Sequence, residues 1–360
     1  DKVINNLGLD INYNTLYKKI NVTSVNNTEI IKVIVSDEDT NLARDIATET
    51  ANVFISEVGK LFNINNANVL DKAIVSDKPY NINVMKQAII YIFVGMIVGF
   101  GILFIYFYFD RTIKSSQQIE EKFKLPILGN VREYGKLNNK YELIVETRPK
   151  SNISEDIRTV RTNLQFSLAD TNNKSLLITS SIPSEGKTFV TCNLGAAFAQ
   201  NGEKVLLVDT DLRLGMLHKA FGVSNEKGLS NLILNNDVSD CSDYIKSTNV
   251  ENLYVITRGT VPPNPSELLN SDCMKKLVKV LKNNFDYVIF DGVPINGLSD
   301  SLIMATYPDK VVLVASCDYT KIDDLENSSK SLEKIDANIA GVVVNKVKTT
   351  KKNKYYSYYE

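Results

Sequence analysis

An uninterrupted apolar run divides this chain. From Ala88 to Phe109 the sequence reads AIIYIFVGMIVGFGILFIYFYF, without one charged residue. As a helix rising 1.5 Å per residue it would extend roughly 33 Å, enough to cross the hydrocarbon core of a bilayer. A secretory signal has a shorter apolar core at the very N-terminus, so that reading fails. The run is expected to be a transmembrane helix. Arg111, Lys114, Lys122 and Lys124 follow it, and Lys72, Lys78 and Lys86 precede it. The positive-inside tendency then puts residues 1–87 outside the cell and 110–360 in the cytosol. Gly95 and Gly99 make a GxxxG spacing, either a helix-packing face or ordinary membrane-helix glycine.

The outer part, 1–87, reads as a small α+β domain. Thr28 to Asp37 is rich in β-branched residues and predicts a strand, Asn41 to Phe62 has apolar residues at helical spacing, and NANVLDKAIV (66–75) predicts a second strand. It carries no nucleophile, metal cluster or glycine-rich loop. All four cysteines, Cys192, Cys241, Cys273 and Cys317, lie beyond the apolar run and lack metal-ligand spacing, as expected of packed thiols in a reducing compartment. The lone His218 reads as a packing or surface residue. A net charge of −1 gives no electrostatic case for nucleic acid as a partner.

After an expected linker (110–150), residues 151–346 alternate strand and helix, which predicts an α/β fold with a doubly wound, largely parallel sheet. Apolar strands are expected at 175–180, 205–209, 253–256, 287–291, 311–315 and 340–345, with helices at 188–200, 266–283 and 322–335. Such sheets bind ligands beyond the carboxyl ends of their strands, and each motif falls at such an end. The first is SSIPSEGKT, Ser180 to Thr188, between a strand and a helix. A phosphate-cradling loop needs inward backbone N–H groups, a helix N-terminus, a lysine and a hydroxyl for magnesium. Gly186, Lys187 and Thr188 supply these in order, while Ser181 stands where the usual first glycine would be. The second motif is VLLVDTDLR, with Asp209, Asp211 and Arg213. Two acids at spacing two on an extended segment can hold Mg²⁺–ATP and deprotonate a hydroxyl, or merely solvate a loop and cap a helix. A third motif shifts that balance: Asp291, after the apolar YVIF, reads as a Walker B aspartate.

These residues resemble the bacterial tyrosine kinases that accompany capsule and exopolysaccharide export. The family's SxxPxEGK(S/T) loop is similar at Ser180, Ser181, Pro183, Glu185, Gly186, Lys187 and Thr188. Its DxDxR motif is matched by Asp209, Asp211 and Arg213, and its Walker B aspartate by Asp291. An ExxRxxR signature of ring assembly is matched by Glu155, Arg158 and Arg161. A PPNPxELL segment is matched by Pro262, Pro263, Asn264, Pro265, Glu267, Leu268 and Leu269. The outer part and the span resemble chain-length determinant proteins of polysaccharide polymerisation, which have two spans. One is present here, and since the chain starts at Asp1 a lost N-terminal span is the expected explanation. The family has an arginine–proline pair after DxDxR, where this chain has Leu214 and Gly215.

The resemblance implies a membrane-bound tyrosine autokinase using ATP and Mg²⁺. It implies a homo-oligomeric ring, commonly an octamer, working with polysaccharide polymerase and export machinery and countered by a phosphotyrosine phosphatase. Lys187, Asp209, Asp211, Arg213 and Asp291 are then the expected catalytic set, with Asp209 receiving the tyrosine proton. Ser184, Glu185, Gly186, Lys187, Thr188, Phe189 and Asn345 would bind nucleotide, Asn345 at the adenine. Thr188, Asp211 and Asp291 would hold the metal. Glu155, Arg158 and Arg161 would serve oligomerisation. Four of 17 tyrosines, Tyr355, Tyr356, Tyr358 and Tyr359, crowd a lysine-rich tail (347–360) without apolar periodicity, as expected of a phosphoacceptor. Two other readings compete. A partitioning-type ATPase carries a signature lysine where this chain has Ile182, and a non-catalytic, nucleotide-switched chain-length regulator would bind ATP without transferring phosphate.

Overall fold

The computed structural model describes residues 1–26, 28–62, 67–79, 83–134, 142–169, 174–236 and 241–348. The chain forms two compact units, Asp1–Tyr106 and Phe107–Glu360.

The first unit starts with α1 (Lys2–Leu7) and α2 (Tyr13–Lys19), the latter begun by Asn12, whose side chain accepts from Thr15 N at 2.9 Å. An antiparallel pair follows, β1 (Ile20–Ser24) and β2 (Ile31–Val35), then the long α3 (Thr40–Phe62). Val3, Leu16 and Ile46 are its buried apolar residues among those described, with Leu7, Ile20, Val35 and Leu42 packed around them. Asn6 donates to Glu49 at 2.7 Å and ties α1 to α3. The strand expected at 66–75 does not form among its described residues, and Leu70 and Ile74 lie exposed. A β-branched segment becomes a strand only with a neighbour to pair with, and the small sheet here has two strands. The apolar run lies in α4 (Val84–Phe109), none of whose residues is buried by protein. Among the described residues it is the one helix long and apolar enough to cross a membrane.

The second unit contains α5 (Ser116–Phe123), β3 (Ile127–Arg132), α6 (Ile144–Thr147), α7 (Asn152–Ser167), β4 (Lys174–Ser180), α8 (Lys187–Gln200), β5 (Val205–Asp209), α9 (Leu217–Phe221) and α10 (Leu229–Leu234). It continues through β6 (Lys246–Ser247), β7 (Leu253–Ile256), α11 (Pro265–Leu269), α12 (Asp272–Asn284), β8 (Tyr287–Pro294), α13 (Asp300–Met304), β9 (Lys310–Ser316), α14 (Ile322–Glu333) and β10 (Ile339–Val347). The eight-stranded sheet has the order β3-β10-β9-β4-β8-β5-β7-β6, parallel except for the short edge strand β6. Both faces are covered, as parallel sheets require. Leu206, Val208, Val288 and Phe290 point into one apolar core, and Val205, Leu207, Tyr287 and Ile289 into the other.

Two expectations change. The stretch read as a linker (110–150) is part of the second unit: β3 is an edge strand beside β10, and Ile113, 1% exposed, is buried, its N donating to Thr320 O at 2.8 Å. The strand was hard to see because ILGNVR is short and broken by Gly129. That glycine is needed, since a Cβ there would stand 2.6 Å from Val160 Cγ2 of α7. The helix expected at 266–283 is two helices, interrupted where the Ser271 side chain accepts from Met274 N and starts α12 anew. All four cysteines are buried thiols outside any disulfide.

Candidate active site

The loop between β4 and α8 is built to leave amides open. Ser184 (φ 68°) and Gly186 (φ 95°) both take left-handed backbone, and Gly186 opens α8 without a side-chain cap. The first N–H groups of a helix lack intrahelical partners, so an uncapped start is an anion seat. A Cβ on Gly186 would meet Asn345 Nδ2 at 2.1 Å, so glycine is required twice over, by φ and by contact.

Asn345 lies at the end of β10 and braces this loop. Its Nδ2 donates to Glu185 O at 2.9 Å and its Oδ1 accepts from Lys346 N at 2.9 Å, so both polar ends are engaged within the protein. Lys346 Nζ reaches Ser184 O at 2.8 Å. The Glu185 side chain turns inward, accepting from Ile182 N at 2.8 Å and from the Thr320 hydroxyl. Burial pushes its carboxyl up to about 7 against these hydrogen bonds.

The acids converge because β5 and β8 are adjacent and parallel, with Asp209 opposite Asp291. Thr188 Oγ1 donates to Asp291 Oδ2 at 2.7 Å and Thr191 Oγ1 to Oδ1 at 3.0 Å. Lys187 Nζ stands 3.7 Å from Asp211 Oδ2. Burial alone would lower the lysine's pKa, but the Asp291, Asp211 and Asp209 carboxylates together raise it and keep it charged. Asp209 is fully buried. Its Oδ2 accepts from Leu217 N at 3.1 Å, while Oδ1 has no hydrogen-bond partner among the described residues. Burial, with Asp291 beside it, holds its carboxyl well above the ordinary range. Burial also raises Asp291, against Lys187 and the two threonine hydroxyls. One positive charge thus faces three carboxylates, an arrangement suited to a polyphosphate and a divalent cation.

Arg213 turns to Asp300 at the start of α13, Nε to Oδ2 at 2.9 Å and Nη2 to Oδ1 at 3.4 Å. Phe189 packs partly buried against the sheet face lined by Leu207 and Ile289. Glu155, Arg158 and Arg161 lie together on α7, but they do not point alike. Glu155 and Arg158 pair with each other, and Arg158 also donates to Pro149 O at 2.8 Å. Arg161 is half-buried and donates to Ala197 O of α8 at 3.0 Å, with burial and then Arg158 lowering its pKa. Tyr355, Tyr356, Tyr358 and Tyr359 lie outside the described residues. Sequence reading missed Thr191, Thr320 and Asp300. Thr191 sits one helical turn after Lys187, a spacing that could have exposed it. Asp300 and Thr320 are brought in by the fold alone.

A family model described as an AAA domain matches residues 184–344. Tyrosine-protein kinase YwqD of Bacillus subtilis is 39% identical over 216 residues, covering 60% of this chain and 90% of that protein. The chain belongs to the bacterial tyrosine-protein kinases. Tyrosine-protein kinase etk of Escherichia coli is 30% identical over 308 residues, which span 81% of this chain and 42% of that longer relative. The solved kinase domain of Escherichia coli tyrosine kinase ETK superposes with a TM-score of 0.62 at 32% identity, covering 66% of this chain and 96% of that one. Membership brings with it the nucleotide-binding P-loop fold.

Proposed function

We propose that this kinase transfers the γ-phosphoryl group of ATP to Tyr355, Tyr356, Tyr358 and Tyr359 of a neighbouring copy of the chain. The observation that carries the reading is the convergence on one uncapped helix start: Lys187 amid the Asp209, Asp211 and Asp291 carboxylates. The amides of Ser184 to Phe189 and the Lys187 ammonium hold the phosphates. The residues also fit Mg²⁺. Thr188 Oγ1 already rests on Asp291, Asp211 lies beside Lys187, and the buried Asp209 Oδ1 and Ser181 Oγ lack partners among the described residues. Thr188, Asp211 and Asp291 would hold that ion directly or through water, and it supplies charge neutralisation on the phosphates.

Asp209 is the group that takes the acceptor's proton. Its raised affinity for protons, caused by burial and the neighbouring Asp291, suits a group that must accept one. Leu217 N and the close approach of Gly215 cover it, a Cβ on Gly215 falling 2.2 Å from Asp209 Oδ1, so the 211–217 turn opens as the tyrosine enters. Because positioning and charge do the chemistry, no covalent enzyme intermediate is involved.

α4 spans the plasma membrane of a bacterium, with residues 1–87 outside as a chain-length determinant-like domain and the kinase unit inside. Glu155 and Arg158 serve contacts between copies in a ring. The cellular task is control of capsular or exopolysaccharide polymerisation and export, with a phosphatase resetting the tail. Each phosphate adds about −1.5 to −2 charges, and several on one lysine-rich tail reverse its sign and loosen the ring. A mixing experiment tests transfer between copies. Chains with Lys187→Met are combined with chains whose four tail tyrosines are phenylalanine. Phosphotyrosine on the Lys187→Met chain, appearing only in the mixture, is the expected result. Its absence there, with wild type active, would confine transfer to one chain.

A further inference from the structure

A buried carboxylate that no motif includes lies at the edge of this site. Asp300 is 1% exposed. A lone buried carboxylate is costly, so its partners indicate what it is there to hold. They come from two separate segments. Arg213, four residues after Asp209, grips both oxygens with Nε and Nη2, and Ser266, in the first turn of α11, donates to Oδ1. The proline-rich segment before α11, the DxDxR turn and the start of α13 therefore meet on one carboxylate. The Arg213 main chain is fixed as well: its O accepts from Arg258 Nη1 at 2.5 Å and its N donates to Asp211 Oδ1 at 3.3 Å.

The guanidinium needs such a hold. It follows Asp211 by two residues, and without that hold it would be a free-swinging cation close to the carboxylates that Lys187 and a metal must use. Released, it would be drawn onto Asp211. The Asp300 fork satisfies two of its donors and leaves the side chain 41% exposed, so one face of the guanidinium still looks outward. We propose that Asp300 is a positioning residue of this kinase, holding the Arg213 guanidinium off Asp211 and facing the acceptor side, where negative charge builds during transfer. Arg213 then touches the reacting phosphoryl group, and Asp300 acts only through it. The inference rests on the kinase reading above.

The test uses the full chain in detergent micelles, a synthetic peptide of sequence NKYYSYYE as acceptor, and a fluorescent ATP analogue for nucleotide affinity. Asp300→Asn is expected to lower kcat by about tenfold or more, the scale of one charge-assisted fork, with the nucleotide Kd within about twofold of wild type. Arg213→Ala should match it, and the double variant should be no worse than either single one. Free guanidinium should restore part of the activity of Arg213→Ala but none to the double variant, a result that a merely structural carboxylate would not give. If Asp300→Asn lacks a cooperative melt, Ser266→Ala takes its place, with a few-fold loss in kcat expected at unchanged Kd. Unchanged kcat in the variant tested, or losses that multiply in the double variant, would overturn the inference and leave the kinase reading standing. Wild type that makes no phosphotyrosine would overturn both.

Discussion

The two units of this chain bury different things. In the first, the buried residues among those described are three aliphatics, Val3, Leu16 and Ile46. In the second, two continuous apolar layers cover a sheet, and every buried polar or charged side chain among the described residues belongs to it, from Ser154 to Asn345. Burying Asp209, Asp291 and Glu185 works against folding. A fold tolerates such groups where their partners are fixed, and here they are fixed around the uncapped start of α8. Exposure teaches the converse lesson in α4, none of whose apolar residues is buried. Buried polarity sets one unit apart, and exposed apolarity sets α4 apart.

The sharpest way to break this comparison is to remove the charge at its centre. Lys187→Met should reduce phosphotyrosine formation at least about a hundredfold, while the first unit's melting is unchanged by calorimetry. Retained activity would mean that the buried carboxylates serve stability alone. Gly186→Ala comes next. With φ at 95° and Asn345 Nδ2 in the way, the loop must distort, and nucleotide affinity by titration calorimetry should fall about tenfold or more.

A third test compares the cores directly. Leu177→Ala in the central strand β4 should destabilise the second unit by about 2–5 kcal/mol, and Ile46→Ala should act on the first unit alone by about 2–4 kcal/mol. Two separable thermal transitions, each moved by one variant, are expected. A single transition shifted by both would contradict two independent units.

The smallest expected effect concerns Glu185. Its carboxyl is raised to about 7 in the folded chain, above its unfolded value, so the folded state binds the extra proton between those limits. Stability is fully present below the unfolded pKa and falls as pH rises through about 7. Glu185→Gln should flatten that slope and gain roughly 1–3 kcal/mol at pH 8 over wild type. Parallel slopes for the two proteins would show that the carboxyl is ionised throughout.

Legibility followed locality. The span, the sheet class and the loop from Ser180 to Thr188 were readable because period, length and glycine chemistry are written in consecutive residues. Asp209 and Asp291 were readable as strand-end acids, and their adjacency awaited the pairing of β5 with β8. Edge strand β3 was hidden by its glycine, and the expected strand at 66–75 failed for want of a neighbour. Arg161 was expected, with Glu155 and Arg158, to serve oligomerisation, and its guanidinium bonds to Ala197 O of α8 within the fold. Asp300 and Thr320 carry no local mark, since their roles exist only through Arg213 and Glu185.

The central claim is that this site phosphorylates tyrosines of its own tail. The direct measurement is intact mass, with anti-phosphotyrosine detection, of the full chain after incubation with Mg²⁺–ATP, beside Lys187→Met and a chain with all four tail tyrosines changed to phenylalanine. Several additions of about 80 Da each in wild type, lost in both variants, are the predicted result. ATP consumed without any gain in mass would contradict the account and leave a nucleotide-switched regulator in its place.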